Sequence, residues 1–393
     1  MYHEMSRVEM DSKLVRELRA YLGAILLQFG YAGLGIIAKL ALNKGMSNYT
    51  FAIYRNLVAA AAVAPFAFAL ERLEFVAKFV FKLIVNLLFV NRKTRPRMTL
   101  SIFIKIFLLA LLEPVIDQNL YYIGLKSTTA TFAAAMWNTV PALTFLFAWL
   151  FRLETVNLRK LHSQAKVVGT VVTLGGAMIM TLVKGSVIEL PWTKANSNSN
   201  SLAQDIHPHQ FIMGAIMIGA GCICGSLFYI LQAITLKSYP AAISLTGLIC
   251  MLGALQGTVL TLVVERGNAH IWSIGWDTSL LASVYGGLIC SGVAYYVSGV
   301  IMKEKGPVFV TSFNPLNMVI VAGMSSFILS EQLNVGKVAG ATVIVIGLYL
   351  VIWGKTRDHS VSTYPQSELI HQSPQNQTSN AHASKATSGD SVV

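Results

Sequence analysis

Long apolar runs separated by short polar connections occupy most of the chain. A bilayer core of roughly 30 Å requires about 20 apolar residues per helix. Runs of this length occur in two groups of five, at 20–38, 49–70, 100–122, 130–151 and 165–183, and at 210–233, 243–264, 278–301, 308–329 and 338–353. The pattern predicts an all-α polytopic membrane protein with ten transmembrane helices, numbered here as spans one to ten.

Polar segments separate and flank the two groups of spans, 20–183 and 210–353. Residues 1–19 carry charges of both signs and no apolar core, which predicts a cytoplasmic N-terminus and no cleavable signal peptide. Residues 184–209 predict a polar extracellular or lumenal linker. Residues 354–393 are rich in Ser, Thr, Gln, Asn and His, a composition that predicts a disordered cytoplasmic tail.

The two groups of spans resemble each other, and the similarity predicts an internal repeat. The matching positions are Gly23 and Gly30 with Gly214 and Gly221, Glu71 and Arg72 with Glu265 and Arg266, Gly169 and Gly176 with Gly340 and Gly347, and Glu154 with Glu331. Because each group holds an odd number of spans, the two halves must have opposite orientations in the membrane. Inverted repeats of this kind are typical of transporters, which alternate access by rocking two half-units around a shared site.

The first half contains an additional segment at 73–92. It is apolar except for Glu74, Lys78, Lys82 and Asn86, which follow one another at intervals of four residues. On a helix these side chains form one narrow polar stripe. We interpret the segment either as an interfacial helix or as an insertion without a function.

Composition and charge support a membrane location. Hydrophobic residues make up 54% of the chain and charged residues 12%, against about 25% charged in typical soluble domains. The net charge is +12, and sixteen basic residues fall in segments predicted to be cytoplasmic against seven outside. This bias places both termini in the cytoplasm and favours loop charges over a nucleic-acid interface. The composition excludes a soluble globular enzyme and a disulfide-stapled secreted module.

Span three contains the densest cluster of polar residues: Glu113, Asp117, Gln118 and Asn119. Polar groups inside a membrane are costly and so are candidates for function. Glu113 and Asp117 are four residues apart and share a helix face, so that they could carry a coupled proton. Pro114 weakens the helix and frees backbone carbonyls. The alternative is that Asp117, Gln118 and Asn119 lie near the outer mouth and only hydrate it.

Spans four and nine each place an aromatic residue and Asn beside a proline. Side-chain amides both donate and accept hydrogen bonds, which suits a zwitterion or a small amphipathic acid. The alternative is that each Asn bonds a neighbouring helix. The residues concerned are Trp137 and Asn138 before Pro141, and Phe313, Asn314 and Asn317 around Pro315.

The remaining features of the spans are an arginine with two interpretations and two glycine pairs with a packing role. Arg55 in span two either binds a carboxylate or extends to the outer surface. We interpret the Gly-x-x-x-Gly pairs at 221–225 and 253–257 as close-packing faces. No zinc-ligand spacing and no nucleophile motif occurs, so the sequence predicts no metal, no cofactor and no enzymatic activity.

A family resemblance covers nearly all of residues 18–355. The matching stretches include 26–33, 54–55, 64–72, 114–125, 131–136, 164–170 and 182–185, with Leu329, Glu331 and Gly340 in the second half. They resemble the plant drug/metabolite transporters of the EamA-like, nodulin-related branch, also called Walls-Are-Thin-related or UMAMIT proteins. The sequence departs from the family pattern at two places. The family usually has a small residue at the position of Glu113, and it usually has a direct connection where this chain has the segment 73–92.

The resemblance implies ten spans in two EamA repeats and the passage of amino acids or related organic acids, often in both directions. We therefore expect an alternating-access facilitator or exporter at the plasma membrane. One alternative is a proton-coupled transporter, or a vacuolar transporter of auxin or another metabolite. A non-transporting membrane scaffold or receptor is the alternative from another class. The expected partners are a small-molecule substrate and lipid, with no nucleic acid.

Overall fold

The computed structural model describes residues 2–72, 98–128, 133, 136–154, 159–183, 186–188, 208–266, 272, 275, 277–328 and 333–371. The additional segment 73–92, most of the linker 184–209 and the tail beyond 371 lie outside the described residues. The predictions for those segments are therefore not addressed by the structure.

Helices occupy all ten predicted positions within the described residues. The first half contains α1 (Tyr2–Asn43), α2 (Asn48–Arg72), α3 (Leu100–Ala110), α4 (Gln118–Ser127), α5 (Val140–Leu150) and α6 (Leu161–Leu182). The second half contains α7 (Pro208–Ser238), α8 (Ala242–Val264), α9 (Thr278–Tyr285), α10 (Ala294–Lys305), α11 (Pro307–Ser312), α12 (Asn314–Ile328) and α13 (Val335–His371). A π-helical segment joins α3 to α4, and another joins α9 to α10.

The all-helical membrane fold is confirmed. In the part of the chain that the structure describes, seven helices are long and apolar enough to cross a membrane, and they are predicted spans one and five to ten. Many large apolar side chains on these helices face outward, including Val171, Leu182 and Leu255, as a lipid-facing surface requires. Span two is helical over α2, span three over 100–127 and span four over α5. That these three spans cross the membrane stays a prediction.

Local sequence explains where several helices begin and end. Thr99 caps α3 by accepting the backbone N–H of Ile102, and Asp277 caps α9 by accepting that of Ser279. Gly306 ends α10 with φ +84°, a left-handed conformation that favours glycine, and Pro307 starts the next helix immediately. These signals set the break between spans eight and nine.

The fifth helix of each half packs against the other, and their contacts are symmetric. A Cβ at Gly169 would lie 2.8 Å from the Gly347 oxygen, and a Cβ at Gly340 would lie 2.7 Å from the Gly176 oxygen. The repeat pairs Gly169 with Gly340 and Gly176 with Gly347, so each contact maps onto the other when the halves are exchanged. Because the residue numbers run in opposite directions, α6 and α13 are antiparallel, as an inverted repeat requires.

The second helix of each half shows the same relation. A Cβ at Gly257 would lie 3.4 Å from Ile53 Cγ1, and one at Gly247 would lie 3.5 Å from Val63 Cγ1. The repeat that pairs Glu71 with Glu265 also pairs Ile53 with Gly247 and Val63 with Gly257. Two independent helix pairs therefore follow one pseudo-two-fold relation, which is the geometry of two mutually inverted halves.

The ends of the chain differ in one respect from the prediction. Helix α13 continues to His371, so residues 354–371, predicted as disordered, are helical. A helix that has already been nucleated extends at little cost even through polar sequence, because each added residue gains one hydrogen bond. Near the linker, Val187–Ile188 pairs with Leu333–Asn334 as a two-residue antiparallel ladder.

Candidate functional site

The third helix of each half is interrupted by a π-helical segment. In the first half it covers Leu111–Asp117 and contains Pro114, and in the second it covers Gly286–Val293. A π-turn inserts one extra residue, widens the helix and is frequent at functional sites. The sequence predicted a weakened helix at Pro114. It did not predict the second π-segment, for which the pair of glycines at its start was the available signal.

Polar side chains of both halves meet between these two π-segments. We call this group the acidic centre; its members are Arg55, Glu113, Asp117, Gln118, Ser291 and Tyr295. Gln118 Nε2 donates to Glu113 Oε1 over 3.2 Å, and the Tyr295 hydroxyl donates to Glu113 Oε2. A bond between Tyr295 and Glu113 joins the second half to the first at its most polar point.

Arg55 is buried and does not extend to the outer surface. Its side chain is 5% exposed. Nε donates to Ser291 Oγ over 2.8 Å, and Nη2 lies 3.5 Å from the Cys290 carbonyl oxygen. The second π-segment therefore positions this cation inside the protein, and the surface interpretation of Arg55 is wrong.

The Asp117 side chain packs between span three, to which it belongs, and the glycines of span six. It is 2% exposed, and its Oδ1 has no hydrogen-bond partner among the described residues. A Cβ at Gly221 would lie 3.0 Å from Oδ1, and a Cβ at Gly225 would lie 3.0 Å from Oδ2. The Gly-x-x-x-Gly pair at 221–225 was interpreted as a packing face only, whereas its two glycines also provide the space that this carboxylate occupies.

Aromatic rings lie next to the Asp117 carboxylate. The Trp137 ring would be 3.7 Å from a Cβ at Gly225, the same point that is 3.0 Å from Asp117 Oδ2. Trp137 and Tyr121 make an edge contact with centroids 5.2 Å apart, and Tyr121 and Tyr122 another at 5.5 Å. A buried carboxylate therefore has an aromatic wall beside it.

The amide residues of spans four and nine form a second polar region. Asn138 contacts the Met318 sulfur across the two halves. Asn138 also lines a narrow cleft together with Pro141, Thr170, Thr173, Leu174, Ser312, Pro315 and Val351. Asn314 is buried, and Asn317 Oδ1 is buried without a partner among the described residues. Spans four, five, nine and ten therefore surround a small polar cleft.

The predicted site residues thus fall into two neighbouring regions. Trp137 lies beside Asp117 and the next residue, Asn138, lines the cleft, so that span four connects the two. Phe313 is 1% exposed and packs on Phe309 at a centroid distance of 5.2 Å in the hydrophobic core. Asn119 donates to the Val115 oxygen of its own helix over 2.6 Å. Sequence reasoning did not identify Ser291 or Tyr295, because short hydroxyl-bearing residues in apolar runs carry no pattern of their own.

A buried ion cluster lies one helical turn from the cleft residues Thr170 and Val351, and sequence reasoning also missed it. Glu154, after span four, contacts Lys166 over 3.4 Å and also contacts Lys355 at the end of span ten. All three residues are less than 10% exposed. The cluster connects the two halves at one end of the helix bundle.

An inverted pair of helical halves around buried polar groups defines a polytopic membrane transporter. The chain belongs to the EamA-like transporter family, which matches residues 18–182 and 212–353, one match in each half. Within it the chain is a plant WAT1-related protein. It is 52% identical to WAT1-related protein At2g39510 of Arabidopsis thaliana over 95% of this chain and 96% of that protein. It is also 52% identical to WAT1-related protein At2g37460 of the same plant, over 89% and 86%.

A solved crystal structure shares the fold. Its chain is 14% identical to this one, and the superposition has a TM-score of 0.61 over 85% of this chain and 98% of that chain.

Proposed function

We propose that this protein is a facilitator or exporter that moves amino acids or related small organic metabolites across the plasma membrane by alternating access. The pseudo-two-fold relation of α6 with α13 is the observation that carries the proposal. It relates two halves of opposite orientation, and the acidic centre lies where those halves meet. Rocking of such halves exposes one site to each side of the membrane in turn. Both termini are cytoplasmic in this proposal.

The substrate site combines the two polar regions. Asp117, Gln118 and Asn119 line it from span three, Trp137 packs against the apolar part of the substrate, and Asn138, Asn314 and Asn317 bind polar groups. Arg55 approaches it from span two. Phe313 supports the site from the core. Each buried region contains an oxygen without a partner among the described residues, Asp117 Oδ1 in one and Asn317 Oδ1 in the other. A ligand that donates a hydrogen bond to such an oxygen removes the free-energy cost of leaving it unsatisfied.

Replacing Asn138 or Asn314 by Ala should reduce amino-acid flux about tenfold, since losing one hydrogen bond to a buried polar ligand costs about 1.4 kcal/mol or more. The measurement is uptake and efflux of radiolabelled amino acids in transporter-deficient cells expressing the full chain. A fluorescent tag on the same chain reports the membrane that it reaches. Gln210→Ala, an exposed amide, is the matched control. Unchanged flux in both Asn variants at equal surface expression contradicts the site assignment.

Proton coupling is a second proposal, supported by two carboxyl groups one helical turn apart, of which Asp117 is buried and Glu113 is half-buried. Glu113 and Asp117 share a helix face, and Glu113 is bonded by Tyr295 of the opposite half. Because Tyr295 belongs to the opposite half, binding of a proton at Glu113 depends on the relative position of the two halves. An inward pH gradient should drive uptake in the native protein, and Asp117→Asn should abolish that drive while leaving downhill exchange measurable. Flux that is indifferent to the gradient excludes coupling.

A further inference from the structure

Asp117 and Gln118 are the two members of the acidic centre with a buried side-chain oxygen that lacks a donor among the described residues, and of these two only Asp117 is an acid. Glu113 accepts hydrogen bonds from Gln118 and Tyr295, and Arg55 donates to Ser291. Asp117 Oδ1 has no donor among the described residues although the side chain is 2% exposed. An acid at membrane depth is costly unless a cation or donor accompanies it. Its carboxylate therefore has capacity for a positively charged group of a ligand.

Helix packing alone does not explain an acid at this place. The repeat pairs Gly221 with Gly30, and the two glycines pack on equivalent third helices. A Cβ at Gly221 would lie 3.0 Å from Asp117 Oδ1, whereas one at Gly30 would lie 2.9 Å from Ile289 Cγ2. The same glycine surface is therefore filled by an apolar side chain in one half and by a carboxylate in the other. Because an Ile side chain is enough to fill this glycine surface, packing does not require the carboxylate of Asp117, and we look for its role in ligand binding.

The surroundings of the carboxylate match one ligand chemistry. An ammonium group is attracted both by a carboxylate and by the face of an aromatic ring, and the second attraction is strongest when the cation is desolvated. Trp137 and Asp117 Oδ2 both lie within 4 Å of the Cβ position on Gly225, and Tyr121 contacts the Trp137 ring. At the position beside Trp137, a carboxylate group of a ligand would instead be repelled by Asp117.

We propose that Asp117, with Trp137 and Tyr121, forms the subsite for the ammonium group of the transported molecule. This inference rests on the proposed transport function and narrows it, because it requires a substrate that carries a protonated amine. Organic acids without an amine lack the group that the subsite binds. Gly221 and Gly225 are positioning residues that leave room for the carboxylate between spans three and six.

Three compounds that share an indole ring test the inference: L-tryptophan, tryptamine and indole-3-acetate. The first has an ammonium and a carboxylate, the second only the ammonium and the third only the carboxylate. Equilibrium binding of each radiolabelled compound is measured on the purified full chain in proteoliposomes. We expect tryptophan and tryptamine to bind at least tenfold more tightly than indole-3-acetate, and Asp117→Asn to reduce that preference to less than threefold.

Two further variants make the result independent of folding defects. Asp117→Ile copies the residue of the other half, so it removes the carboxylate while preserving the packing on Gly221. Asp277→Asn makes the same chemical change at an exposed helix cap, where Asn caps equally well, and should leave all three affinities unchanged.

Native protein that binds indole-3-acetate as tightly as tryptamine overturns the inference, and so does unchanged tryptamine affinity in both Asp117 variants. Binding of none of the three compounds overturns it as well. The proposed transport function is decided separately by amino-acid flux in cells, which can persist when the ammonium subsite is disproved.

Discussion

Glu154→Gln lowers the thermal unfolding midpoint of the purified protein by on the order of 5–10 °C, because it breaks a buried ion cluster. Glu154 contacts both Lys166 and Lys355, and the three side chains are at most 10% exposed. Removing one member of such a cluster costs about 3–5 kcal/mol, since charges desolvated by folding lose their partner. The measurement is fluorescence-detected unfolding in detergent.

The matched control is Glu17→Gln. Glu17 pairs with Lys305 over 3.2 Å but is 45% exposed, and an exposed pair contributes about 0–1 kcal/mol. Its midpoint should therefore change little. Equal midpoints for the Glu154 and Glu17 variants would show that the buried cluster does not hold the two halves together at this end of the bundle.

Gly176→Ala destabilises the protein by about 1–3 kcal/mol, the usual cost of inserting a methyl group into a tightly packed interface. The new Cβ would lie 2.7 Å from the Ile344 backbone nitrogen and 3.0 Å from the Gly340 oxygen. Backbone atoms cannot rotate away, so α6 and α13 must separate. The readout is again the unfolding midpoint, together with the yield of monodisperse protein.

The adjacent residue supplies the control, because a Cβ at Gly175 meets nothing within 4 Å. Gly175→Ala should leave stability unchanged or raise it by up to about 1 kcal/mol through helix propensity. Symmetry adds a second check. Gly347→Ala, whose Cβ would lie 2.6 Å from the Thr173 nitrogen, should destabilise like Gly176→Ala. A midpoint as high for Gly176→Ala as for Gly175→Ala contradicts the contact.

Part of the candidate site was predictable because membranes make polar residues conspicuous. Asp117 and Asn138 stand out in apolar runs, and both lie in buried polar regions. Phe313 is a candidate site residue by its sequence pattern, and the structure packs it against Phe309 in the core. A buried aromatic and a site aromatic carry the same local pattern, so only the neighbours of Phe313 distinguish the two.

The partners of the site residues were not predictable. Arg55 bonds Ser291 across 236 positions of sequence, and Asp117 rests on two glycines that follow it by about a hundred residues. Hydropathy and spacing describe one segment at a time, whereas these contacts depend on how the helices pack. The second π-segment was likewise invisible, because one extra residue in a helical turn leaves the apolar pattern nearly unchanged.

The sequence by itself determined the membrane class, the position of each apolar helix and the pairing of the two halves, since these follow from transfer free energies and from spacings counted along one chain. Tertiary structure alone decided which glycines touch, which carboxylate lacks a donor and which lysines share Glu154. Those properties arise from approaches of a few ångströms between distant segments, and the free energy of each depends on the exact distance.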